Sequence, residues 1–296
     1  MITFFACLPF FILFQLIARA VANWFNVSVL TVWIVYFVVS ELIESNMLTH
    51  SPQLRRLPIF AYLGRVVMRS DFTAESKKKL NELSSRQRLY MAETHGIACS
   101  HLVWGYAAHG GALPDHLADK TLVVASVVYK FVPILRNIYS ALGVISNTRA
   151  SIKRAIRQGY SLALSPSGIV GKELSLIAPV ITAASDDTAC VQIWRRSTLG
   201  CFIYAHRYKL PIVTVLSPEE DYLYRRFNVD SGSSWKVLAI GWWFVRPYQQ
   251  ALWRIGDEIE SEGVCNASKL ADSVYASFCR LGANDYRVKV KYAIDE

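Results

Sequence analysis

Two long apolar runs open the chain, Ile2 to Ala18 and Trp24 to Val39, the second broken only by Asn26, Ser28 and Thr31. The short stretch Arg19 to Asn23 lies between them. At 1.5 Å per residue each run makes a helix of roughly 25 Å, slightly short of the ~20 residues that cross a bilayer comfortably. Paired runs with a short break predict a helical hairpin that spans or re-enters a membrane. A secretory signal is disfavoured because no Lys or Arg precedes Arg19. Two core helices of a soluble domain are the remaining alternative.

The pattern then changes. Residues 52 to 90 read as a helical linker, with an amphipathic surface helix over Pro58 to Met68, an N-cap at Ser70-Asp71 and a solvated face at Lys77-Lys78-Lys79. Beyond it, short apolar runs alternate with helical stretches. Strands are expected at Leu89–Ala92, Thr121–Ser126, Gly143–Ser146, Ser161–Leu164 and Pro211–Leu216. Helices are expected over Val132–Leu142, Ser151–Arg157 (started by Asn147-Thr148), Trp194–Tyr208, Tyr248–Glu262 and Ser268–Arg280. Such alternation argues for an α/β domain with a buried, mostly parallel or mixed sheet flanked by helices. The organisation that follows is a hydrophobic membrane hairpin at 1–43, a linker at 44–88 and a catalytic domain at 89–296.

Composition sharpens this. Hydrophobic residues make up 53% of the chain and charged ones 19%, a balance tilted toward lipid contact. Residues 1–43 carry only Arg19 and Glu41, which cancel, so the net charge of +9 belongs to the body. A basic body behind an apolar N-terminus suits an anionic membrane surface or a polyanionic cosubstrate. Arg55, Arg56, Arg65 and Arg69 place that body on the cytosolic side by the positive-inside rule. Trp242-Trp243-Phe244 can line a lipid-facing surface or simply fill core. No zinc-finger spacing, RNA-binding motif or long basic arm points to nucleic acid. The six cysteines contain no Cys-x-x-Cys pair, and His101, His109 and His116 match no ligand spacing, so neither a disulfide framework nor a metal site is expected.

Several chemistries are excluded by absent motifs: no Gly-x-Ser-x-Gly elbow, no phosphate loop and no Gly-x-Gly-x-x-Gly occurs. What remains is an ordered series. His95-Gly96 follows the first strand of the body, then come Gly143-Val-Ile-Ser-Asn-Thr-Arg149, Ser165-Pro-Ser-Gly168 and Leu210-Pro-Ile-Val-Thr-Val215. The series resembles the four blocks of the glycerolipid acyltransferase superfamily. Within it the chain is most similar to the type-2 diacylglycerol acyltransferase family, through the preceding hairpin, Arg196-Ser-Thr-Leu-Gly200 and the Ser217-Pro-Glu-Glu220-Asp-Tyr-Leu-Tyr224 segment. The likeness covers about residues 1–225. It departs from the pattern at Glu93-Thr94, where a His-Pro pair is usual, at Ser100 for an Asp, and at Ser167 for a Glu.

The resemblance implies an acyl-CoA-dependent O-acyltransferase esterifying a mono- or diacylglycerol or similar lipid alcohol, with a glycerolipid-acyltransferase-like fold. The alternatives are a lysophospholipid or glycerol-phosphate acyltransferase and an inactive lipid-binding relative. His95 would be the general base, since a neutral imidazole can take a hydroxyl proton and return it to the leaving thiol. Its orienting acceptor would be Glu173 or Glu93, the latter two residues away and on the same face of an extended segment. Gly96 gives room for substrate, Ser167 and Gly168 frame the oxyanion site, and Arg149 binds an anionic group. Acyl-CoA enters as co-substrate, with no permanently bound cofactor and no metal. The partners implied are the lipid bilayer and the lipid alcohol, at the endoplasmic reticulum or a lipid droplet; a homodimer is compatible with all of this.

Overall fold

The computed structural model describes residues 2–46, 51–59, 70–93, 113–165, 181–183, 189–195, 200–216, 251–282 and 286–292. The apolar runs form α1 (Ile2–Phe25) and α2 (Val29–Asn46). The break falls later than the Arg19–Asn23 stretch. That stretch holds no proline or glycine and has alanine at 20 and 22, so the helix continues through it. The chain turns instead at Asn26, whose φ of 53° is a conformation that short polar Asn tolerates. Ser28 then opens α2, its hydroxyl accepting from the Thr31 amide at 3.1 Å. Across the pair, Trp33 Nε1 donates to Gln15 Oε1 at 2.9 Å and the Trp33 ring meets Phe14 edge-on. Among the described residues no single helix is long and apolar enough to cross a membrane. Residues 10–25 and 29–43 reach that threshold only as a pair bent by 111°.

A seven-stranded sheet forms the centre of the body. Its strands are β1 (Ser70–Phe72), β2 (Leu89–Glu93), β3 (Thr121–Ala125), β4 (Val144–Ser146), β5 (Ser161–Leu164), β8 (Ile212–Leu216) and β9 (Ala251–Ile259), in the order β1-β9-β8-β2-β5-β3-β4. A smaller sheet joins β6 (Ile181–Ala183), β7 (Ala189–Arg195) and β10 (Tyr286–Tyr292) in the order β10-β7-β6. From β8 through β4 every neighbouring pair is parallel, while β9 runs antiparallel to β8. The sheet is therefore mixed, with a parallel centre, and that centre is apolar on both faces, as helix-covered parallel strands require. Leu89, Met91, Leu162, Ile212 and Leu216 pack under α7 (Arg149–Arg157), α8 (Gly200–Tyr208) and α9 (Ala267–Gly282). Tyr90, Ala163, Val213 and Val215 face α4 (Ala74–Glu82), α5 (Asp115–Ala118) and α6 (Leu135–Ala141).

Three sequence expectations are corrected. The helix expected over 248–262 is strand β9: Trp253 and Ile255 alternate into the core, and Gly256 disfavours helix. The helix expected from Trp194 does not include 194 and 195, which finish β7; α8 covers Gly200–Tyr208. The stretch expected to be a helical linker contributes β1 to the sheet. Ser70-Asp71 lie in that strand, and the cap of α4 is Thr73, accepting from the Ser76 amide at 3.2 Å. The amphipathic helix expected over Pro58–Met68 falls largely outside the described residues, as does the Trp242–Phe244 cluster.

The N-terminal elements are fastened to the body. Arg55, at the end of α3 (Pro52–Arg55), is fully buried and donates through Nη2 to the Thr121 carbonyl at 3.0 Å. Its guanidinium underlies Gly143, whose φ of +84° suits glycine and whose Cβ, if present, would lie 3.1 Å from Leu122 Cδ2. Higher up, Phe10 and Phe11 pack on Val132 and Leu135. Between these two body residues Ile134 has φ 65° and ψ −54°, and the Leu135 amide donates to the Pro133 carbonyl at 2.7 Å. This is a classical γ-turn, a strained conformation for a β-branched residue. Tyr36 of the hairpin accepts the Ile134 amide proton at 2.9 Å.

Candidate active site

Because β8, β2, β5, β3 and β4 run parallel, their carboxyl ends share one edge, the place where open α/β sheets bind ligands. Register aligns that edge. Glu93 pairs with Leu216 and Met91 with Leu164, so Ser165 stands one step short of Glu93. Ala125 pairs with Ser146. The loops leaving β3 and β4 are tied together: the Asn147 amide donates to the Ala125 carbonyl at 2.8 Å, and the Val127 amide to Asn147 Oδ1 at 3.3 Å.

Glu93 is a buried carboxylate at the last position of β2. It follows Leu89 and Met91 on the face covered by α7, α8 and α9, where its charge reaches Cys201 in the first turn of α8. Desolvation pushes the Cys201 thiol up to about 12, with Glu93 adding to the rise. That thiol is held protonated and is no nucleophile.

Arg149 is the first residue of α7 and is exposed. A hydroxyl cluster makes the helix start rigid: Thr148 caps it by accepting from the Ser151 amide, and the buried Ser146 hydroxyl lies 3.1 Å from Thr148 Oγ1 and 2.9 Å from Ser151 Oγ. Arg149 therefore stands at the carboxyl edge, on the same side of the sheet as Glu93. From β2 to β4 is three strand spacings, about 14 Å. The structure thus brings Glu93 and Arg149 to one edge. His95, Gly96, Ser167, Gly168 and Glu173 lie outside the described residues. Of the histidines weighed for metal, His116 is described: its Nε2 lies 3.0 Å from the Leu83 carbonyl, in a backbone hydrogen bond.

One set of residues here had no signal in the sequence. The turn after β3, Val127–Phe131, and α6 hold Lys130 and Arg136, and both reach Glu41 of α2, at 3.4 and 3.1 Å. Arg136 is nearly buried and also lies over the Phe37 ring, 5.6 Å from its centroid. Since this turn leaves the carboxyl end of β3, the hairpin is docked beside the candidate site.

No protein-family model matches the sequence, and no curated protein does. Among solved structures, the chain is similar to the crystal structure of the 1-acyl-sn-glycerophosphate (LPA) acyltransferase PlsC from Thermotoga maritima. The identity is 14% and the TM-score 0.50, over 91% of this chain and 93% of that one. At that identity the likeness is one of fold.

Proposed function

We propose that the chain is an acyl-CoA-dependent O-acyltransferase whose acceptor is a phosphate-bearing lysophospholipid of the 1-acylglycerophosphate class. One observation carries this reading. β2 and β5 are adjacent and parallel, so the segments containing His95-Gly96 and Ser165-Pro-Ser-Gly168 leave the sheet at the same edge. Likeness in fold to an acyltransferase over nearly the whole chain supports it. The exposed Arg149 beside that edge supports a phosphate-bearing acceptor over the neutral glycerolipid that motif resemblance alone favours.

In the proposed reaction the imidazole of His95 takes the proton of the acceptor hydroxyl, and the oxygen attacks the thioester carbonyl. The tetrahedral oxyanion is held by backbone amides near Gly168. Its collapse expels the coenzyme A thiolate, which recovers the proton from His95. Base catalysis of this kind contributes roughly 10²–10⁴-fold, and each oxyanion donor about 10²–10³-fold. Glu93 or Glu173 would orient the imidazole.

The hairpin is proposed to lie in the bilayer. Its outward side chains are strongly apolar and exposed, with Trp24 at 85%, Leu30 at 68% and Leu16 at 60%. Such a surface needs a covering that the described residues of the body do not supply. Docked beside the carboxyl edge, it would bring that edge to the lipid that contains the acceptor.

The test is acyl transfer by membranes carrying the chain, with labelled acyl-CoA and either lysophosphatidate or diacylglycerol. Labelled phosphatidate is the expected product, falling by about 10²–10⁴-fold in His95→Ala. Full activity in that variant rejects the mechanism, labelled triacylglycerol alone rejects the acceptor, and no product with any lipid alcohol leaves the inactive lipid-binding relative.

A further inference from the structure

Helix α7 carries four basic and no acidic residues in nine, Arg149-Ala-Ser-Ile-Lys-Arg-Ala-Ile-Arg157. Ala155 and Ile156 turn into the core with Ile152 packed beside them. Arg149, Lys153 and Arg157 fall at i, i+4 and i+8, on one flank away from that buried face. Among the described residues none of the three forms an ion pair. This placement works against the helix. Like charges four residues apart repel, and Arg149 adds a positive charge at the helix end that is already positive. The stripe runs about 12 Å, from the carboxyl edge of the sheet back toward its amino edge.

We infer that this flank of α7 is a phosphate-binding ridge that grips the pyrophosphate and 3′-phosphate of the acyl-coenzyme A donor. The inference rests on the acyltransferase reading and adds Lys153 and Arg157 to it. A lysophospholipid has one phosphate, close to its reacting hydroxyl, and Arg149 at the edge is enough for it. Lys153 and Arg157 lie progressively farther from the edge, where such a headgroup has nothing to offer them. Coenzyme A differs in the required way: its pantetheine arm separates the thioester from several phosphates. A thioester at the edge thus sends its anionic end down a surface of matching charge. The phosphates of the donor supply the opposite charge that the helix lacks internally.

Binding of coenzyme A itself is measured by calorimetry on the full chain in nanodiscs of uncharged lipid. Wild type, Lys153→Ala/Arg157→Ala and the charge-preserving Lys153→Arg/Arg157→Lys are compared, with 3′-dephospho-coenzyme A as second probe. The alanine pair is expected to weaken coenzyme A binding on the order of tenfold, with the salt dependence reduced, and the charge-preserving pair to restore it. Unchanged coenzyme A affinity in the alanine pair overturns the inference, as does absence of binding by the wild type. Binding to phosphatidylglycerol vesicles is measured on the same variants, and a loss in the alanine pair confined to these vesicles also overturns the inference, making the ridge a lipid contact. The two proposals fail separately. Ridge-dependent binding without acyl transfer upholds the ridge and removes the enzyme, whereas transfer with an unaltered KM for acyl-CoA in the alanine pair does the reverse.

Discussion

Gly256 sits in β9 where three elements meet. A methyl group added there would lie 2.3 Å from Thr214 Oγ1 and 2.8 Å from Ser277 Oγ, where ordinary contact begins at 3.4 Å. Those hydroxyls share a 2.7 Å hydrogen bond between β8 and α9, among Ile212, Val274 and Phe278, which are all fully buried. Thr214 must therefore retreat by about 1 Å, and its hydroxyl cannot turn to water instead. Overpacking of this kind costs about 1–3 kcal/mol, and the loss of that hydrogen bond about 1 more. Gly256→Ala should lose roughly 2–4 kcal/mol, a fall in Tm of roughly 5–15 °C. In a Thr214→Ala/Ser277→Ala background both obstructing oxygens are gone, and the same substitution should change stability by less than about 1 kcal/mol. Thermal or urea unfolding of the four variants, followed by tryptophan fluorescence, gives the coupling, expected near 2 kcal/mol. Equal losses in both backgrounds, within about 0.5 kcal/mol, would refute the packing described.

Burial raises the Glu258 carboxyl, but hydrogen bonds from Arg86 and Arg88 outweigh it and hold the group below the usual carboxylate range. A depressed folded value gives stability present above the unfolded value of ~4.3 and lost as pH falls through the folded one. Unfolding measured from about pH 6 to about pH 3 should show that loss in wild type and a flatter profile in Glu258→Gln; superimposable slopes would contradict it. Thiol labelling provides another check. With Cys201 pushed up to about 12 and Cys265 exposed, iodoacetamide near ~pH 8 should label Cys265 in the folded chain and Cys201 only after denaturation. Equal native rates would count against the desolvated thiol.

The five parallel strands were legible because strands covered on both faces are short, unbroken apolar runs between turns, and 121–126, 143–146 and 161–164 read that way directly. β9 was not. Its Leu252–Ile259 run satisfies helical spacing as well as alternation, and the residues that decide between them, Thr214 and Ser277, are distant in sequence. The hairpin turn was misread by a few residues because Arg19 suggested a break that helix propensity overrides. At the candidate site, block order picked out the strands that share an edge, and Thr148 was readable as a cap. The Glu41–Arg136 contact spans 95 residues and leaves no local trace. His95, Gly96, Ser167, Gly168 and Glu173 remain expectations of the sequence.

The γ-turn at Ile134 bears on how the protein can be handled. Such a turn stores about 1–3 kcal/mol, and part of what keeps it in place comes from Tyr36, on a helix that would ordinarily be the first thing deleted to obtain a tractable fragment. Cutting away residues 1–46 would also leave Arg136 and Lys130 without the Glu41 carboxylate, so the trimmed body would relax beside the carboxyl edge of its sheet. A better soluble version keeps both helices, with Tyr36 and Glu41 intact, and replaces outward residues such as Leu16, Leu30 and Ile34 with polar ones. The hairpin is a wall of the building as well as its foundation.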